Sequence, residues 1–269
     1  MNKRNDYSPH VFFSLEGQSV MVTGAAGQLG SAIVCGLLDC GSNVIATDVA
    51  TDLLEAAADR WDWPGKQVVL CRCDIRKRTG VSKALAIGAE TFKGVTAIVN
   101  NVGVSVFEPY LERTEESVDW VTEVNLKGTF LCIQEFVKHR VEQKGHAAVV
   151  NIGSHYGMVS PDPRIYTDCD RKNSEIYGAT KAGVIQMTRY FAVHTAEYGI
   201  RVNAVSPGGV RNPDNPQGSD FQKNYGYRCP MGRMAETHEV VGAVLFLLSP
   251  AATYINGQNI VVDGGMTCW

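Results

Sequence analysis

Short apolar runs alternate along this chain with longer stretches in which apolar positions recur every three or four residues. The runs predict strands near 18–22, 43–48, 67–73, 95–99, 147–152, 200–205 and 258–262. The periodic stretches predict helices near 28–40, 52–61, 79–92, 115–143, 175–198 and 237–248. Strand followed by helix from end to end implies a parallel sheet covered on both faces. The expected fold is therefore α/β, one doubly wound domain of about seven strands over residues 1–269, with 1–16 as an N-terminal extension. Ligands on such sheets bind at the carboxyl ends of the strands, where the strand order reverses.

Composition narrows the partners. The chain is 45% apolar and 20% charged with a net charge of −3, and like charges do not run together. That balance gives no surface for nucleic acid or for a membrane. No run reaches the ~18 apolar residues of a membrane span, and Met1–Gly17 lacks the apolar centre of a secretory signal. The expected compartment is the cytoplasm. Cysteines at 35, 40, 71, 73, 132, 169, 229 and 268 form no two pairs at zinc-ligand spacing. Buried free thiols are expected and no metal site.

The candidate chemistry lies where strands end. The first strand runs into Thr23-Gly24-Ala25-Ala26-Gly27-Gln28-Leu29-Gly30, directly before a helix. Glycines let the backbone turn sharply and approach a ligand, and the helix N-terminus offers unpaired N–H groups to a pyrophosphate. Asp48 ends the second strand some twenty residues on. A carboxylate there accepts from both hydroxyls of an adenosine ribose and repels a 2′-phosphate. Ala25, Ala26 and Gln28 bring no cation to pair with such a phosphate, so the cofactor expected is NAD rather than NADP.

Further strand ends carry Asp74-Ile75, Asn100-Asn101-Val102-Gly103 and Gly153-Ser154. Asn-rich turns serve equally as structural punctuation. Asn125 is either an inward amide holding a helix irregularity and a water, or a surface amide. Ser154, at the end of a central strand, can bond a substrate carbonyl oxygen. Tyr177 and Lys181 stand one turn apart on the helix predicted at 175–198. An ammonium beside a phenol favours the phenolate and makes the Tyr a usable general acid/base. With ten Tyr in the chain, that pair carries weight only together with the other marks.

Taken in order, the glycine turn, Asp48, Asp74, Asn100-NVG-Gly103, Asn125, Ser154, Tyr177-GATK-Lys181, Ile200-RVNAVSPGG-Gly209 and Gly257-QNIVVDGG-Gly265 resemble the short-chain dehydrogenase/reductase family from about residue 17 to 265. The resemblance implies a Rossmann fold and a NAD-linked enzyme, with Tyr177 as general acid/base and Lys181 lowering its pKa and bonding the nicotinamide ribose. It implies that Ser154 polarises the carbonyl and Asn125 holds a water of the proton relay. Cofactor contacts are expected from Gly24, Gly27, Gln28, Leu29, Gly30, Asp48, Asp74, Ile75, Asn101, Gly103, Tyr177, Lys181, Pro207, Gly208 and Val210. The spacing of Gly24, Gly27 and Gly30 is similar to a longer, sugar-nucleotide-modifying branch. That branch carries a larger C-terminal domain, which this chain lacks, so the single-domain branch is assigned. The interval from Ser154 to Tyr177 is about ten residues longer than usual, with the insertion roughly at Pro161 to Ser174. The region after Ser206, with that insertion, resembles oxidoreductases of bacterial nonulosonic (legionaminic-type) sugar synthesis and flagellin glycosylation.

The expected reaction interconverts a secondary alcohol and a ketone, on a sugar, polyol or sugar derivative. A 3-oxoacyl thioester reductase is the alternative, with a non-catalytic NAD-binding protein further off. The enlarged loop 155–176 and the loop 208–235 should cover the substrate. Arg164, Arg171, Lys172, Arg211, Lys223 and Arg228, with Asn212, Asn215 and Asn224, suggest an anionic, hydroxyl-rich substrate. His155, Arg164 and Arg211 are the candidate substrate contacts. Val118, Trp120, Val121, Phe130, Phe136 and Val137 exceed what one buried helix face needs, and the resemblance implies a homodimer or homotetramer built on helices 115–143 and 175–198.

Overall fold

The computed structural model describes residues 8–143, 145–168 and 174–269. Cys169, Arg171, Lys172 and the first seven residues lie outside these described residues. Seven strands, β1 (Ser19–Thr23), β2 (Asn43–Asp48), β3 (Val68–Arg72), β4 (Ala97–Asn100), β5 (Ala147–Ile152), β6 (Ile200–Pro207) and β7 (Asn259–Val262), start and stop within two residues of the predicted positions. All pair in parallel, in the order β3-β2-β1-β4-β5-β6-β7. The order reverses between β1 and β4, which opens a crevice at their carboxyl ends.

β1 is buried at every position because helices cover both faces of the sheet, and side chains alternate between them. Val20 and Val22 face a core built with α2 (Gln28–Asp39) and α9 (Thr237–Leu248), through Ile33, Leu37, Val240 and Val244. Met21, Ile45 and Ile98 face the other way, toward α4 (Arg78–Phe92) and α6 (Thr129–Gln143), against Val81, Leu85, Ile133 and Phe136. The remaining cover comes from α3 (Thr51–Arg60) and α7 (Glu175–His194).

Three features depart from the expected pattern. The single helix expected at 115–143 is α5 (Glu115–Thr122), a π-helical turn over Glu123–Gly128, then α6. A four-residue helix, α1 (Pro9–Phe12), lies in the N-terminal extension. Within the loop 208–235 stands α8 (Ser219–Arg228), whose Phe221 and Tyr225, one turn apart, are buried. They form a small separate core with Ile165 and Tyr166 of the enlarged loop, Met234 and Met266. Asp168 accepts a hydrogen bond from Phe221 N at 3.1 Å and Thr167 one from Asn224 at 2.8 Å. Residues 165–168 of the enlarged loop and α8 thereby pack together.

The thiols divide. Cys71, Cys73, Cys132 and Cys229 are buried, as expected, but Cys35 and Cys40 are only partly so and Cys268 is exposed. Among the described residues no helix is long and apolar enough to cross a membrane, and no group of three or more His, Cys, Asp or Glu is placed to hold a metal ion.

Candidate active site

A cavity of about 610 Å³ runs along the carboxyl ends of the strands from Asp48 to Pro207. Of the positions predicted to touch a cofactor, all but Gln28 line it. At its centre is the glycine turn. Gly24 has φ +67°, in the left-handed region, and a Cβ on Gly30 would lie 2.0 Å from Gly24 O. Asn101 clamps the turn from β4, its amide donating to Thr23 O at 3.0 Å and Gly24 O at 3.1 Å. Asp48 accepts from Ala26 N at 3.3 Å and Ala50 N at 3.1 Å, so its carboxylate is fixed at the cavity wall beside the turn. Gln28 turns away: its amide donates to Arg211 O at 2.6 Å and Thr237 at 3.1 Å, tying α2 to the loop after β6.

At the Asp48 end the cavity is also walled by Val49, Ile75 and Arg76. Arg76 grips Asp74 through two bonds of 2.9 and 2.8 Å, and that guanidinium holds the Asp74 carboxyl below its usual range. Sequence reading missed Arg76, and the only signal was its place two residues after an acidic strand end.

At the other end, α7 presents Tyr177 and Lys181. Ser174 caps this helix by accepting from Tyr177 N at 3.2 Å, and Glu175 in the first turn suits the helix dipole while pairing with Arg113 at 2.6 Å. Lys181 is 3% exposed and donates to Ile152 O at 2.7 Å. Its Nζ lies 5.7 Å from the centre of the Tyr177 ring. A Cβ on Gly103 would sit 3.1 Å from that Nζ, so glycine there leaves the ammonium its room. Ser154, buried at the end of β5, bonds Tyr177 and also accepts from Tyr156 N at 3.1 Å.

The electrostatics differ from the simple expectation of an ammonium that lowers the Tyr pKa. Burial is the largest influence on Tyr177 and holds its pKa above the ordinary phenol value, with the Ser154 bond pulling the other way. Burial also lowers Lys181 to about 8. The cation is turned to a carbonyl and weakened by its own desolvation, so it does not dominate the phenol.

Asn125 is 1% exposed within the π-helical turn, which is the irregularity its inward position suggested. Its amide donates to Val104 O at 2.9 Å and Thr180 at 3.1 Å and accepts from Val104 N at 2.8 Å. It does not line the cavity; its two donated bonds tie the irregular segment after β4 to α7.

A smaller chamber of about 180 Å³ opens beside Ser154 and Tyr177. His155, predicted as a substrate contact, lines it; Arg164 and Arg211 do not. The Arg164 side chain is 83% exposed and paired with Asp162 at 2.7 Å. Arg211 is paired with Glu236 at 2.7 Å and Arg228 lies 3.7 Å from Asp162. These three arginines pair with neighbouring carboxylates and none lines the chamber, whose wall carries rings instead: Phe107, Tyr156, Tyr166, Phe221 and Tyr225. Of the apolar residues expected to pair subunits, Val121 and Phe136 are instead fully buried within the chain, while Trp120 and Phe130 remain exposed.

A family model described as enoyl-(acyl carrier protein) reductase matches residues 24–267. A tropinone reductase homologue of Arabidopsis thaliana is 34% identical over 262 residues, covering 96% of this chain and 95% of its own. A short-chain dehydrogenase from Leptospira borgpetersenii, solved with NAD⁺ bound, superposes with a TM-score of 0.83 at 35% identity over 94% of both chains. A gluconate 5-dehydrogenase from Burkholderia cenocepacia, solved with NADP and tartrate, gives 0.86 at 26% identity, covering 97% of this chain and 100% of that one.

Proposed function

The chain belongs to the short-chain dehydrogenase/reductase family, oxidoreductases that use a nicotinamide dinucleotide, and on that premise we propose that it interconverts a secondary alcohol and a ketone with NAD as its cofactor. The observation that carries this reading is the convergence of Ser154, Tyr177 and Lys181 at one end of a cavity whose other end is closed by Asp48. The dinucleotide fits the residues present. Gly24 and Gly30 leave the backbone bare where a pyrophosphate approaches, Asp48 and Val49 take the adenosine ribose, and Gly103, Lys181 and Pro207 line the nicotinamide end.

A bound nicotinamide would supply the hydride chemistry, in either direction, at the substrate carbon. The protein's residues handle the proton and the charge. In oxidation Tyr177 takes the hydroxyl proton, and Ser154 donates to the oxygen as it becomes a carbonyl. In reduction the same phenol returns the proton. Lys181 fixes the ribose and keeps positive charge near the phenolate as it forms.

Support for NAD over NADP comes from Asp48, whose carboxylate faces the cavity where a 2′-phosphate would lie. Asp48→Ala is expected to raise affinity for NADPH relative to NADH by about tenfold or more, read by fluorescence titration of both. Tighter binding of NADPH than NADH by the unaltered protein would overturn the assignment.

We favour a polar, sugar- or polyol-type substrate over an acyl thioester, in keeping with the resemblance to nonulosonic-sugar oxidoreductases, although the matching family model is described as an acyl carrier protein reductase. We also propose a dimer or tetramer. Trp120 and Phe130, joined by Tyr190 and Val193 of α7, leave apolar surface on the helices expected to pair. Light scattering at micromolar concentration should give at least twice the monomer mass.

A further inference from the structure

The chamber beside Ser154 and Tyr177 has a chemical character that narrows the substrate. It shares Ser154, Tyr177, Gly208 and Val210 with the larger cavity, so what fills it lies against the proposed proton donor. None of its lining residues is Lys, Arg, Asp or Glu among those described. A phosphate or carboxylate placed there would lose its hydration without gaining a counter-ion. At about 180 Å³ it falls below the ~300–1,000 Å³ of sites for drug-sized ligands; it suits a single ring.

The walls are fixed in advance. Tyr166 meets Phe221 edge-on with ring centres 5.2 Å apart, the Tyr156 and Tyr166 hydroxyls bond at 3.0 Å, and Tyr225 accepts from Gly209 N at 2.7 Å. Each of those hydroxyls makes a bond, and their rings line the chamber. The chamber's polar side-chain atoms left with no partner at all belong to two other side chains. His155 is 3% exposed, and both its ring nitrogens are buried without a partner. The side-chain oxygen of Gln217 is likewise buried and unpartnered. Buried polar atoms left this way are costly. These three lie on two residues lining one small chamber. Burial lowers the His155 pKa to about 4, so the imidazole is neutral at pH 7 and offers one donor and one acceptor, the pair a hydroxyl can use in full.

We propose that the part of the substrate that is oxidised is an uncharged, hydroxyl-bearing ring, packed on the Tyr and Phe faces and recognised through a hydroxyl next to the reacting carbon by His155 and Gln217. This rests on the dehydrogenase reading above. It departs from the anionic substrate expected from the loop cations, of which Arg164 and Arg211 pair with carboxylates and do not line the chamber, and it gives specificity to two residues outside the Ser154–Tyr177–Lys181 set.

The test measures NAD reduction with cyclohexanol, trans-cyclohexane-1,2-diol, myo-inositol, myo-inositol 1-phosphate and a 3-hydroxybutyryl thioester. The diol or inositol should exceed cyclohexanol by tenfold or more in kcat/KM, since a site built to bond a hydroxyl discriminates strongly against its absence. The phosphate should do no better than inositol. His155→Phe and, independently, Gln217→Leu should each shrink the advantage of diol over cyclohexanol at least threefold. The proposal fails if cyclohexanol equals the polyols, if the phosphate or thioester is the best substrate, or if both variants keep the full ratio. Oxidation of none of these alcohols by protein that binds NADH would overturn the dehydrogenase reading and this inference together.

Discussion

Tyr177→Phe is expected to lower turnover by ~10²–10⁴-fold, the range that positioned acid/base groups contribute, while NADH binding stays largely intact. The phenol is the group at this end of the cavity proposed to pass a proton to or from the substrate oxygen: the Ser154 hydroxyl donates a hydrogen bond without ionising, and Lys181 is turned to Ile152 O. Removing one oxygen leaves the ring and its packing. Lys181→Ala should reduce both turnover and NADH affinity, because that side chain is proposed to hold the ribose too.

The pH dependence has a definite sign. Burial raises Tyr177 above the usual phenol value, so the base form needed for oxidation grows as pH rises through the alkaline range. Oxidation should speed up in that range and reduction, which needs the protonated phenol, should not. Lys181, lowered to about 8, loses its charge before the phenol ionises and blunts the rise above that pH. Steady-state rates in both directions from pH 6 to 10 would show this. Near-full activity of Tyr177→Phe, or oxidation that falls with pH, would remove Tyr177 from the proton path.

The glycine-turn end of the cavity was legible in the sequence because its signals are local. A glycine turn between strand and helix, an acid at the next strand end and an Asn-Asn-x-Gly after β4 each act through backbone positions that the strand pattern already places. The substrate half was not legible in the same way. Loop polarity counts side chains without saying which turn inward. Arg164 finds Asp162 two residues away and Arg211 finds Glu236 twenty-five residues away, and neither pairing is visible in composition. Phe221 and Tyr225 did stand at helical spacing, but the Pro-, Gly- and Asn-rich stretch before them disguised α8 as loop. Gln28 shows a further limit: a residue inside the right motif can serve a neighbouring loop instead of the ligand.

The sequence also weighted Gly24, Gly27 and Gly30 alike, and the structure separates them. Gly24 holds φ +67° and Gly27 φ −75°, a value open to any residue. A Cβ on Gly27 would meet nothing closer than Gly24 O at 3.4 Å, an ordinary contact. On Gly30 it would meet Gly24 O at 2.0 Å, Gly24 C at 2.8 Å and the Asn101 amide at 2.9 Å. Two of those atoms are backbone, and the third clamps the same turn, so none can yield alone. Gly30→Ala must push α2 away from the turn and loosen Asn101 from Thr23 and Gly24. The helix N-terminus then leaves the position from which its N–H groups reach a pyrophosphate. Overpacking of this kind costs ~1–3 kcal/mol, and the expected result is a lower Tm with NADH affinity reduced by roughly ten- to hundredfold. Gly27→Ala, measured beside it by thermal melting, should keep a Tm close to that of the unaltered protein. Equal Tm losses for the two variants would mean that the turn tolerates or rejects a Cβ for reasons other than the contact at Gly30.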